Sequence, residues 1–195
     1  MVKVYYLDIS KLNMPNCSDF DSLPLSRKNY LLSINDKTLQ KQSYYVFKLL
    51  IKALDLNGIS HKNEFIVDNN IWQLKSKDIS FSLSHSKNIV AVAISKDFIG
   101  LDVEKIDSKL TKVEKLFNLS KIDNSLENIT KLWTEKESLY KLNSICNLNG
   151  EKINIEKEDC NFNSKLINDN DNFQYYITLS SVKNIQCNFT KMELI

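Results

Sequence analysis

The sequence predicts an α+β fold of two similar α/β halves, residues 1–98 and 99–195. Three observations carry that expectation. Each half holds one long helical pattern, each holds several strand patterns, and the composition is globular, with 43% of 195 residues apolar and 26% charged. Residues 2–9 alternate as a strand, and residues 22–34 suit a short helix. Residues 37–56 read as a long helix, with Asn35 or Asp36 as N-cap and Gly58 just past the end. Residues 79–84 and 88–95 read as strands. The second, NIVAVAIS, is apolar on both faces and belongs inside a sheet. Residues 98–106 form a further strand pattern. A short helix over 110–118 and a long one over 124–147 follow, then strands over 152–156, 173–182 and 185–194. With only 3 Gly and 2 Pro, no flexible linker separates the halves.

Composition excludes several classes of function. No run reaches the roughly 18 apolar residues of a membrane span. The N-terminus MVKVYYLDIS enters a strand pattern at once and lacks a signal-peptide pattern, so a cytoplasmic location is expected. Cys17, Cys146, Cys160 and Cys187 are widely spaced and form no CxxC, and are read as reduced thiols. His61 and His85 lie far apart, which argues against a zinc site of His and Cys. Any metal is expected to be a hard cation held by oxygen. The net charge of +2 is too small for a nucleic-acid footprint. Residues 1–98 carry 13 Lys+Arg against 9 Asp+Glu, and residues 99–195 carry 13 against 15. That imbalance suits a basic half that meets phosphate beside an acidic half that meets a cation, although scattered surface charge gives the same figures.

Three segments carry candidate chemistry. In FIGLDVEKI, strand alternation puts Ile99, Leu101 and Val103 on one face and Gly100, Asp102 and Glu104 on the other. Two carboxylates about 6.6 Å apart along a strand can converge on one divalent cation. Gly100 leaves room for a close neighbour. In the second long helix, Leu126, Ile129, Leu132, Trp133, Leu139, Tyr140 and Cys146 make an apolar stripe, with Glu137 and Lys141 an i,i+4 pair on its edge. In FSLSHS (81–86), hydroxyls, amides and an imidazole are gathered after a strand, all able to bind phosphate. Alone, each segment has a plainer reading: a solvated strand face, a surface ion pair, a structural histidine.

The order and spacing of these segments resembles the surfactin-synthetase-type 4′-phosphopantetheinyl transferases, whose pattern is close to FNxSHS, GxDxE and WxxKEAxxK. The matching residues are Phe81, Ser84, His85, Ser86, Gly100, Asp102, Glu104, Trp133, Lys136, Glu137 and Lys141. The resemblance implies an active site in the cleft between the two halves. It implies that Asp102, Glu104 and Glu137 hold Mg²⁺, or Mn²⁺ in its place, on the pyrophosphate of coenzyme A. His85 and Ser84 would contact coenzyme A phosphates, Lys141 would neutralise the phosphate nearest the transferred group, and Lys136 would help position coenzyme A. The implied reaction moves 4′-phosphopantetheine to a serine of an apo acyl or peptidyl carrier protein and releases adenosine 3′,5′-bisphosphate. Neither nucleic acid nor membrane is implied as a partner, and a monomer would contain its whole site.

The chain departs from the family pattern in two places. Where the family has Gly-Lys-Pro, this chain has Asn69, Asn70 and Ile71, which leaves Lys62 or Lys75 to substitute. Where the family favours Arg-Ser-Leu-Gly on the first long helix, it has Gln42, Ser43, Tyr44 and Tyr45, which leaves Lys41 or Arg27 for the 3′-phosphate. Two other functions fit the same residues: another carboxylate-metal phosphotransferase or nuclease, and a catalytically impaired module that binds coenzyme A or a carrier protein.

Overall fold

The computed structural model describes residues 1–60, 65–68, 71–76, 78–110, 112, 125–148 and 155–193. It is a mixed α+β structure. The first sheet has the strand order β4-β5-β1-β9: β4 (Ser80–Ser86), β5 (Ile89–Ser95), β1 (Val2–Asp8) and β9 (Cys187–Lys191). The second has the order β6-β8-β7: β6 (Ile99–Lys105), β8 (Gln174–Ser181) and β7 (Asn161–Asn168). A separate hairpin pairs β2 (Phe65–Asp68) with β3 (Ile71–Leu74). The helices are α1 (Leu25–Ser33), α2 (Lys37–Leu56) and α3 (Leu126–Leu148).

The order of layers follows from where each strand buries its side chains. β5 is buried along its whole length and lies between β4 and β1. Val90, Val92 and Ile94 meet Val46, Phe47, Leu50 and Leu54 of α2. The alternate residues Ile89, Ala91 and Ala93 meet Ile99, Leu101, Val103, Ile177 and Leu179 of the second sheet. α3 covers the far side of that sheet, where Thr134 Oγ1 lies 2.7 Å from Thr178 Oγ1 of β8. The result is helix, sheet, sheet, helix. α2 starts where Asp36 accepts from the Thr38 and Leu39 amides at 2.7 and 3.0 Å. It ends before Gly58, whose φ of +64° favours glycine.

The structure and the sequence reading differ in several elements. The boundary near residue 98 falls just before β6, but β9, from the 99–195 segment, pairs parallel with β1 in the first sheet. The buried face of α3 is not the expected stripe. It is Ile129, Thr130, Thr134, Ser138, Leu142, Ile145 and Cys146, while Tyr140 is exposed. The reason is a close approach to β6 that favours small side chains over large ones. The β2–β3 hairpin and β7 carry too weak an alternation to be read from sequence. The helix over 110–118, the strand over 152–156, and His61, Lys62, Asn69 and Asn70 lie largely or wholly outside the described residues. No helix among the described residues is long and apolar enough to cross a membrane.

Candidate active site

β6 places the two strand carboxylates. Its Ile99, Leu101 and Val103 are buried between the sheets, so alternation turns Gly100, Asp102 and Glu104 to the other face. α3 lies directly on Gly100. A Cβ there would sit 1.9 Å from the Ser138 carbonyl oxygen and 2.8 Å from the Leu142 amide nitrogen. Glu137 and Lys141 are the chain neighbours of those two contact points, so the close approach sets the helix residues beside Asp102.

β4 runs along the open edge of β6 and is joined to it by side chains. Ser82, Ser84 and Ser86 accept hydrogen bonds from the Leu101, Val103 and Lys105 amides at 2.9, 3.2 and 3.2 Å. Ser84 also donates to Asp102 Oδ1 at 2.9 Å, and Ser86 to Glu104 Oε2 at 2.7 Å. The Ser84 hydroxyl is buried and its one proton is already given to Asp102. It sits beneath the carboxylate and also on the wall of the cavity described below.

Lys141 does not make the surface pair with Glu137 that was its plainer reading. Among the described residues its ion pair is with Asp102, at 2.7 Å, and not with Glu137 one turn away. Its ammonium donates further to Ser84 Oγ at 3.0 Å and to the Leu101 carbonyl at 2.9 Å. Lys136 is exposed, with its ammonium 5.8 Å from the centre of the Trp133 ring.

The site is short of positive charge. Burial, with the nearby Asp102 and Glu137 charges, pushes Glu104 up to about 7 against the pull of Ser86 and Lys141. Burial and Asp102 also raise Glu137 above the usual carboxylate range. Asp102 Oδ2 is buried and among the described residues has no hydrogen-bond partner, a costly state for a carboxylate oxygen. Asp102, Glu104 and Glu137 supply carboxylate oxygens, the donor type that a hard divalent cation takes. Among the described residues no three acidic, His or Cys side chains are already drawn together as a ligand set.

A cavity of about 700 Å³ opens beside these groups, lined by Arg27, Ser43, Trp72, His85, Asp102 and Lys141 among others. Arg27 is buried at 4% exposure. Its guanidinium donates to the Ser43 carbonyl and, at 2.8 Å, to the Ser43 hydroxyl. It lies 5.0–5.3 Å from the ring centres of Tyr30, Phe47 and Trp72. Among the described residues its Nε has no hydrogen-bond partner. Burial lowers its pKa to about 10, and among the described residues no carboxylate pairs with it. A buried cation of this kind at a cavity wall favours an anionic ligand. Lys41 lies elsewhere, in a separate cavity of about 270 Å³ with Lys37 and Lys87.

His85 is held neutral. Burial, then the Lys141 and Arg27 charges, lower its pKa from 6.5 to about 4. The unfolded chain therefore binds a proton on this residue at a pH where the folded chain does not. Stability should be unaffected by His85 above about pH 6.5 and fall between about pH 6.5 and pH 4, by on the order of 3 kcal/mol. Glu104, pushed up to about 7, gains stability as pH falls over much the same window and opposes that loss in the wild type, so the His85 contribution is the difference between two urea-denaturation curves. Relative to wild type, His85→Gln should gain stability as pH falls from about 6.5 to about 4, and parallel curves would contradict the assignment.

Sequence reasoning missed Trp72, Tyr30 and Ser43 around Arg27, and the bonds that Ser84 and Ser86 make to Asp102 and Glu104. The strict SxSxS spacing of Ser82, Ser84 and Ser86 was the available signal for those bonds, because it puts three hydroxyls on one strand face. No protein-family model matches the chain, and no curated protein matches it.

Proposed function

We propose that the chain transfers 4′-phosphopantetheine from coenzyme A to a serine of an acyl or peptidyl carrier protein, releasing adenosine 3′,5′-bisphosphate. The observation that supports this reading is the Asp102–Lys141 ion pair on the wall of a cavity that Arg27 and His85 also line, with Glu104 and Glu137 near enough to feel the Asp102 charge. On this reading the chain is two related α/β halves, each with one long helix, and the substrate lies in the cleft between them. The finer pseudo-two-fold arrangement is part of the proposal.

Asp102, Glu104 and Glu137 are the residues that would hold Mg²⁺ or Mn²⁺, which when bound supplies Lewis-acid neutralisation of the pyrophosphate. Arg27 and His85 receive the phosphates of the nucleotide end. Lys141 places its ammonium against the phosphate that is transferred. Glu137 accepts the proton of the carrier serine, directly or through a water. The serine oxygen bonds to the phosphorus that carries pantetheine, and the bond from that phosphorus to the bridging pyrophosphate oxygen breaks. A second cleft of about 660 Å³, lined by Phe81, Tyr140 and Ile145 among others, shares Trp72, Leu83 and Lys141 with the first. Its largely apolar wall suits the pantetheine arm.

The test is chromatographic detection of adenosine 3′,5′-bisphosphate. Its formation should require coenzyme A, an apo carrier protein and a divalent cation together. Tight coenzyme A binding with no product across a panel of carrier proteins would favour a binding module of the same fold.

A further inference from the structure

We propose that Ser86, and Ser84 beside it, are positioning residues that hold the site carboxylates ready for the cation. The proposal rests on the cation reading of this site. β4 and β6 meet with matching two-residue periods, so the serines at 82, 84 and 86 face β6 in register. All three accept from a β6 amide. An amide can only donate, so each hydroxyl proton remains free for a second partner. For Ser84 that partner is Asp102 Oδ1, and for Ser86 it is Glu104 Oε2.

Each serine thus fixes one oxygen of a carboxylate and leaves the other. At Asp102 the remaining oxygen is the buried, unpartnered Oδ2. A carboxylate tethered through one oxygen to rigid backbone presents the second in a defined direction. That is how outer hydrogen bonds tune a metal site. Ser82 is the internal control: it makes the same bond to a β6 amide, at 2.9 Å, with no bond to a site carboxylate.

The experiment compares Ser86→Ala, Ser82→Ala, Ser86→Thr and wild type for Mn²⁺ binding, read from free Mn²⁺ by electron paramagnetic resonance without coenzyme A or carrier protein. Thermal melts in chelator accompany it. Ser86→Ala should weaken Mn²⁺ binding by about 10-fold or more, while Ser82→Ala stays within about twofold. Ser86→Thr, which keeps the hydroxyl, should recover most of the affinity. Both alanine variants lose one amide acceptor, so a purely structural role would lower their melting alike and leave Mn²⁺ affinity alone. Wild-type Mn²⁺ affinity in Ser86→Ala would overturn the positioning role. Failure of the wild type itself to bind Mn²⁺ would overturn the cation reading and this role with it. Should Ser86→Ala not fold, Ser86→Cys keeps the volume, weakens the donor and carries the same comparison.

Discussion

Glu137→Gln and Lys141→Met should each lose at least about a hundredfold in single-turnover transfer, the usual cost of one positioned electrostatic group. Their stabilities should differ. Glu137 is half-buried and held above the usual carboxylate range, so removing its charge relieves repulsion and melting should hold or rise slightly. Lys141 is the ion-pair partner of the buried Asp102. Losing it leaves a buried carboxylate without its cation, a change that costs about 3–5 kcal/mol in fully buried pairs and less here, where Lys141 is partly exposed. Asp102→Asn combined with Lys141→Met should recover much of the melting temperature and none of the transfer. Near-wild-type transfer in both single variants would return the pair to a structural role. Lys141→Arg should rescue only in part, because a planar fork does not reproduce a compact ammonium.

Gly100→Ala should damage both fold and reaction. The added Cβ would lie 1.9 Å from a helix carbonyl and 2.8 Å from a helix amide. Neither is the end of a flexible side chain, so α3 itself must move. Forced overpacking of this kind costs about 1–3 kcal/mol and sometimes more, which in a chain of 195 residues lowers melting by roughly 2–10 °C. The displaced segment carries Glu137 and Lys141, and a misplacement of about 1 Å can cost on the order of a hundredfold in rate. Melting scans with single-turnover transfer check both effects. Wild-type values for both would mean that the approach of α3 to β6 does not set the site.

Where the sequence pattern is strong and local, it anticipates the fold. The apolar run of β5 implied an inner strand, and the structure places it between β4 and β1. The helical pattern over 37–56 matches α2. The alternation of FIGLDVEKI put Asp102 and Glu104 on one face because one face had to be apolar. The missed features are tertiary. The buried face of α3 is lined by Thr130, Thr134 and Ser138, residues whose polarity reads as surface until Gly100 is seen beneath the helix. Helical spacing set Lys141 beside Glu137, yet Asp102 on another element offers a buried partner that spacing cannot reveal. Arg27 was one of two candidate cations, and the packing of Tyr30, Phe47 and Trp72 around it separates its buried position from that of Lys41. The pairing of β9 with β1 joins residues far apart in sequence, and a strand pattern carries no information about its partner.

Intact-mass measurement of an apo carrier protein, incubated with this chain, coenzyme A and Mg²⁺, tests the central claim most directly. The account predicts a gain of one phosphopantetheine mass on a single carrier serine. That gain should be lost with excess chelator and lost in Asp102→Ala. An unchanged carrier mass across acyl and peptidyl carrier proteins, with the chain folded and coenzyme A bound, would contradict it.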